Sequence, residues 1–129
     1  MVSRYHVMLM INERVLEFNA RWLKDYLDQV GDIEHYEILR HEQHLTIDEL
    51  EFVTTEIIER KKELEQYKNI IRNFKDYLSQ ILYLKYVEGY SLEKVADQMK
   101  ISRGYAAKLH SAFTRHLRKR ANNERDTMQ

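Results

Sequence analysis

Not one proline interrupts the 129 residues, and only three glycines do. Proline removes a helix hydrogen bond and collides with the preceding turn, and glycine costs about 1 kcal/mol in a helix interior. A chain this poor in breakers, with 33% charged residues, is most simply all-α.

The spacing of apolar residues then places the helices. Residues 12–30 carry Val15, Leu16, Phe18, Trp22, Leu23, Tyr26, Leu27 and Val30 at steps of three and four, the mark of one buried helix face. Asn12 stands as its N-cap and Gly31 as its C′ residue. The start, to Ile11, fits a helix extension or a short strand, and the helix is the reading taken here. Residues 33–42 read as a second, short helix. Thr46-Ile47-Asp48-Glu49 forms a capping box, and no breaker follows from 46 to 88, so one long helix is expected there. Along it Val53, Ile57, Leu64, Tyr67, Ile71 and Phe74, continued by Leu78 and Ile81, form a heptad seam with one charged interruption at Arg60. The seam pairs with helix 12–30 of the same chain or with a second copy in a homodimer; the sequence leaves both open. The charged run 59–63 reads as a solvated helix face.

Charge divides the chain. Overall, 21 Lys and Arg balance 21 Asp and Glu. Residues 1–72 hold 10 basic against 15 acidic residues, a net of −5, and residues 73–129 hold 11 against 6, a net of +5. We therefore expect two parts: an acidic helical arm over 1–72 for oligomerisation or partner binding, and a basic domain over 73–129. The absence of cysteine excludes a disulfide framework, a thiolate zinc site and a cysteine nucleophile, and fits a cytoplasmic setting. No apolar run is long enough to span a membrane, and no signal peptide is visible.

The informative segment is 77–120. Local signals divide it into three helices: one ending near Glu88 with Gly89 as its left-handed C′ residue, one capped by Ser91, and one capped by Ser102 and running to about Lys119. The tight join between the last two makes a helix-turn-helix. Ala96 is the small residue where they cross, and Val95, Met99, Ile101, Ala106 and Leu109 hold them together. Lys100 occupies the turn position that favours positive φ, at a cost of about 1 kcal/mol. From Ile101 to Arg120 there is no acidic residue. A helix lying in a major groove has phosphates on both sides and cannot carry carboxylates toward them. The candidate DNA-contacting residues are therefore Ser102, Arg103, Tyr105, Ala107, Lys108, Ser111, Arg115, Arg118, Lys119 and Arg120. Arg103 is suited to a guanine edge or a phosphate, and the run 115–120 to the DNA backbone.

These residues resemble region four of bacterial sigma factors, the module that binds the −35 promoter element. The likeness lies in Tyr86-Val87-Glu88-Gly89-Tyr90-Ser91, then Leu92-Glu93-Lys94-Val95-Ala96, then Ile101-Ser102-Arg103, then the basic end Leu117-Arg118-Lys119, and covers about 45 of the 129 residues. Nothing upstream resembles region two, so a complete sigma factor is not implied. Gly104 and Ala107 replace the larger polar residues of sigma factors, so the −35 consensus is not implied either. With its acidic helical front, the chain resembles the small late-gene activators of phages of Gram-positive bacteria, the ArpU and RinA types.

Other constellations read as structure. His35, Glu37, His41, Glu42 and His44 look like solvated residues at a helix end, not a metal site. His110 and Ser111 point about 100° apart on a helix, so with Asp97 they make no triad. There is no Gly-rich phosphate loop, and no enzyme, cofactor or metal is expected. The expected function is sequence-specific transcription regulation on double-stranded DNA, encoded by a phage or mobile element, with RNA polymerase or a regulatory protein as a further partner. Two alternatives are a DNA-packaging protein of the small-terminase type, which would form a ring of eight or more copies, and a sigma mimic that binds protein without DNA.

Overall fold

The protein, seen in a computed structural model, is described over residues 13–42 and 44–128, with side chains through 125. The described residues form five α-helices and no strand: α1 (Glu13–Arg40), α2 (Ile47–Arg72), α3 (Tyr77–Leu82), α4 (Leu92–Met99) and α5 (Arg103–Met128). One π-helical stretch, Tyr83–Val87, continues α3. The all-α expectation holds. The expected Asn12 cap and the start to Ile11 lie outside the described residues.

Helix boundaries differ from the sequence expectation in four places. α1 runs through Gly31 without a stop, so 33–42 is no separate helix. A Cβ at Gly31 would meet nothing within 4 Å. The glycine is exposed, and its cost of about 1 kcal/mol is set against buried Tyr26 and Ile33 on either side. The long helix expected from 46 to 88 breaks at 73–76. The Asn73 N–H turns back to the Ile70 and Ile71 carbonyls, and the Asp76 carboxylate accepts from the Ser79 N–H to start α3. Short polar side chains that bond their own backbone end a helix without any proline. Third, the helix expected to reach Glu88 changes its bonding at Tyr83, the Glu88 N–H bonding the carbonyl five residues back. Fourth, α5 does not stop near Lys119 but continues to Met128.

The chain forms two compact units. One, 22–73, is an antiparallel hairpin of α1 and α2. The Thr46 capping box is present, its hydroxyl accepting from the Glu49 N–H at 3.1 Å. The seam turns inward: Val53, Ile57 and Ile71 are buried, and Leu64 and Tyr67 half-buried. The Tyr67 hydroxyl donates to the Trp22 carbonyl (3.1 Å). Arg60, the charged interruption, reaches Asp32 at 3.4 Å and Glu56 at 3.3 Å and lies over the Tyr36 ring at 4.9 Å. Lys61 pairs with Glu37 at 2.9 Å.

The second unit joins residues up to Arg21 to 74–129. The first turns of α1 thus belong with the C-terminal helices, where the sequence placed them in the acidic arm. Its core holds Leu78, Ile81, Leu82, Val95, Ala106 and Phe113, all buried. Phe74 packs on Phe18, ring centroids 4.9 Å apart. Asn19, fully buried, bonds the Val15 carbonyl (2.8 Å) and Asp76 Oδ2 (3.2 Å) through its amide, and its Oδ1 accepts from the Ser79 hydroxyl (2.7 Å). A buried amide with all these partners fixes α1 on α3. Divided by unit rather than by halves, the charges separate further: 22–73 holds 7 basic against 13 acidic residues, a net of −6, leaving +6 for the other unit. No described helix is long and apolar enough to cross a membrane.

Candidate nucleic-acid interface

The interface begins at the turn between α4 and α5. Ser91 caps α4, its hydroxyl accepting from the Lys94 N–H at 3.2 Å. At the other end Lys100 is left-handed (φ 57°, ψ 41°), the one positive-φ residue besides Gly89 among those described. The Ile101 N–H bonds the Ala96 carbonyl (3.1 Å) and the Lys100 N–H the Asp97 carbonyl (3.3 Å). This double bond pattern is a Schellman motif; it satisfies the last carbonyls of α4 and turns the chain at once into α5. Ser102 then caps α5, accepting from the Tyr105 N–H at 3.0 Å. Val95, Ala96, Ala106 and Leu109 are buried between the helices.

Side chains along α5 sort by face. Ala106, Leu109, Phe113 and His116 are buried at steps of three and four. Lys108, Ser111, Arg115, Arg118 and Lys119 are exposed on the opposite side. None of these four basic residues has a carboxylate within ion-pair distance among the described residues, and together they make a positive stripe about three turns long. Ser102 and Gly104 are exposed at its N-terminal end. A Cβ at Gly104 would meet open space, so the helix presents bare backbone there.

The remaining sequence candidates are placed differently. Arg103 is exposed but leans back on α4, its guanidinium 3.6 Å from Glu93 and 3.8 Å from Asp97. Tyr105 is half-buried, edge-on to Tyr77 at 6.1 Å, and Ala107 is half-buried. Arg120 turns toward α1 and pairs with Glu17 at 3.4 Å. It is the one Lys or Arg of the run 115–120 held by a carboxylate among the described residues.

Two polar clusters escaped sequence reasoning. Glu17 Oε2 lies 2.8 Å from His116 Nε2, and Glu17 also pairs with Arg21 at 3.6 Å. Glu13 lies 3.5 Å from the other nitrogen of His116. The His116 hydrogen bond holds the Glu17 pKa below 4.5; burial opposes the shift, and the charges of Arg120, His116 and Arg21 add to it. The partners are 99 residues apart, so only the periodicity Ala106, Leu109, Phe113, His116 signals that this histidine is buried. Second, Tyr86, at the π-helical turn, stacks on His110 and reaches its Nε2 at 2.9 Å. Burial and the nearby Lys85 charge lower the His110 pKa from 6.5.

Among the described residues, no group of three or more His, Asp or Glu is arranged to hold a metal ion. The site offers a shaped basic surface. Searches of the curated proteins and of the solved structures found no match. A family match does exist, and it extends from the hairpin through the helix-turn-helix: over residues 21–118, the chain belongs to the family described as "Protein of unknown function (DUF1492)".

Proposed function

We infer that the protein is a transcription regulator that lays α5 in the major groove of double-stranded DNA, as the resemblance to sigma region four implies. One observation carries this reading: Lys108, Arg115, Arg118 and Lys119, exposed and without a carboxylate partner among the described residues, lie on one stripe of α5 opposite the buried face. Phosphates flank a groove-bound helix on both sides, and a stripe of this length without carboxylates is what they attract. The α5 N-terminus, with Ser102, Arg103 and bare Gly104, is the part that meets base edges. Arg103, whose guanidinium rests against Glu93 and Asp97 at the start of α5, is exposed and would exchange these carboxylates for a guanine edge or a phosphate. A phage or mobile-element origin follows from the likeness to late-gene activators.

Binding of the full chain to genomic and random duplexes, followed by fluorescence anisotropy across a salt series, tests the inference. Saturable binding that weakens steeply with salt supports it. Arg103→Ala is expected to lose roughly 1–3 kcal/mol on a selected site and little on random DNA. Absence of binding at low salt sinks the reading and leaves the protein-binding alternative.

A further inference from the structure

The far end of the α1–α2 hairpin carries a surface that DNA binding does not use. Tyr36 and Leu39 at the end of α1, Leu45 in the connection, and Phe52 and Val53 on α2 line a pocket of about 470 Å³. That lies within the range of roughly 300–1,000 Å³ typical of ligand pockets. Its floor is Val53, which is buried, and its wall is Phe52, a phenylalanine left 58% exposed. Ile38, Ile47 and Leu50 are exposed nearby in sequence, Ile47 at 84%. Lone exposed apolar residues need no explanation; a phenylalanine standing open in the wall of an apolar pocket does. The polar residues lining the pocket are Glu42, Asp48 and Glu49, all acidic. From His41 to Glu59 the chain has six carboxylates and not one Lys or Arg.

The chemistry selects the occupant. The acidic rim repels nucleic acid and anionic lipid. A second copy meeting tip to tip would bring two acidic rims together. A second copy placing its basic α5 here would cover its own DNA-facing stripe. An amphipathic helix with large apolar residues on one side and Lys or Arg around them matches both the apolar floor and the rim. We propose that the hairpin tip is a docking site for a basic amphipathic helix of another protein, anchored by an apolar side chain against Phe52 and Val53. The site does not involve α5, so loss of DNA binding leaves it standing, and its own failure leaves DNA binding untouched.

The test uses the full chain and a labelled synthetic helix of about 15 residues, with Leu at i, i+3, i+4 and i+7 and Lys elsewhere, read by anisotropy near physiological salt. A second peptide replaces each Lys by Glu. The Lys peptide is expected to bind saturably and the Glu peptide not to bind. Phe52→Ser, on an exposed side chain, is expected to keep the circular dichroism melt of the wild type and to weaken binding about tenfold or more, and Glu42→Lys to weaken it as well. No saturable binding, equal binding of both peptides, or full binding by Phe52→Ser overturns the proposal. So does a wild-type oligomer in sedimentation that Phe52→Ser dissociates, because a second copy would then be the occupant.

Discussion

Two arginines two residues apart on α5 should behave oppositely. Arg118 is exposed on the basic stripe, whereas Arg120 is turned to Glu17 at 3.4 Å. The stripe offers four cations to phosphates: Lys108, Arg115, Arg118 and Lys119. Each phosphate neutralised contributes about −0.9 to the slope of log K against log salt, so four give a slope near −3.6 per protomer. Raising salt from about 50 to 200 mM then weakens binding roughly 150-fold. Arg118→Ala leaves three contacts and a slope near −2.7, a loss of roughly 40-fold over the same range. Arg120→Ala leaves the slope unchanged. It removes a cation from half-buried Glu17 instead, so its effect appears as a lower melting temperature. Anisotropy titrations at four salt concentrations measure the slopes, and thermal melts measure the stability. If Arg120→Ala flattens the slope as much as Arg118→Ala does, or if the wild-type slope is near zero, the assignment of α5 faces is wrong.

Three further outcomes follow from particular contacts. Glu17 has a lowered pKa in the folded protein, so its contribution is present above 4.5, the ordinary carboxylate value, and is lost as pH falls through the folded value; Glu17→Gln should melt lower than wild type at pH 7, with the gap closing as pH falls below about 4.5. Lys100→Gly should raise stability by about 0.5–1 kcal/mol, because the left-handed turn penalises a side chain by more than glycine loses in unfolded-state entropy; a lower midpoint in denaturant would count against it. A fragment of residues 73–129 lacks Asn19 and Glu17 and so leaves Ser79, Asp76 and His116 without α1 partners; it should unfold several degrees below a fragment that retains α1, at about 1 kcal/mol for each hydrogen bond lost.

What the sequence made legible was local. Capping residues sit within four positions of the groups they satisfy, so Thr46, Ser91 and Ser102 announced three helix starts. The α4–α5 turn was equally readable, down to the positive φ at Lys100. Breaks made by ordinary polar residues were missed. Asn73 and Asp76 end one helix and start the next, yet the apolar seam runs across them from Ile71 to Leu78. The four-and-three spacing survived a change of helix, and periodicity alone could not show it. Gly31 is the converse: a residue that often stops a helix sits at an exposed position where stopping would gain nothing.

The contacts that join sequence-distant residues left no local trace, and they decide which arginine is available to a ligand. Arg118 and Arg120 lie in one basic run, within a stretch from Ile101 to Arg120 that has no acidic residue. The distinction is made by Glu17, which sits more than a hundred positions upstream. It follows from the angle between the two residues, about 200° apart around the helix, once the buried face is known. Ala106, Leu109, Phe113 and His116 define that face, and Arg120 continues their spacing while Arg118 opposes it. Composition thus located the basic helix, but the core beneath it determines which of its charges point outward.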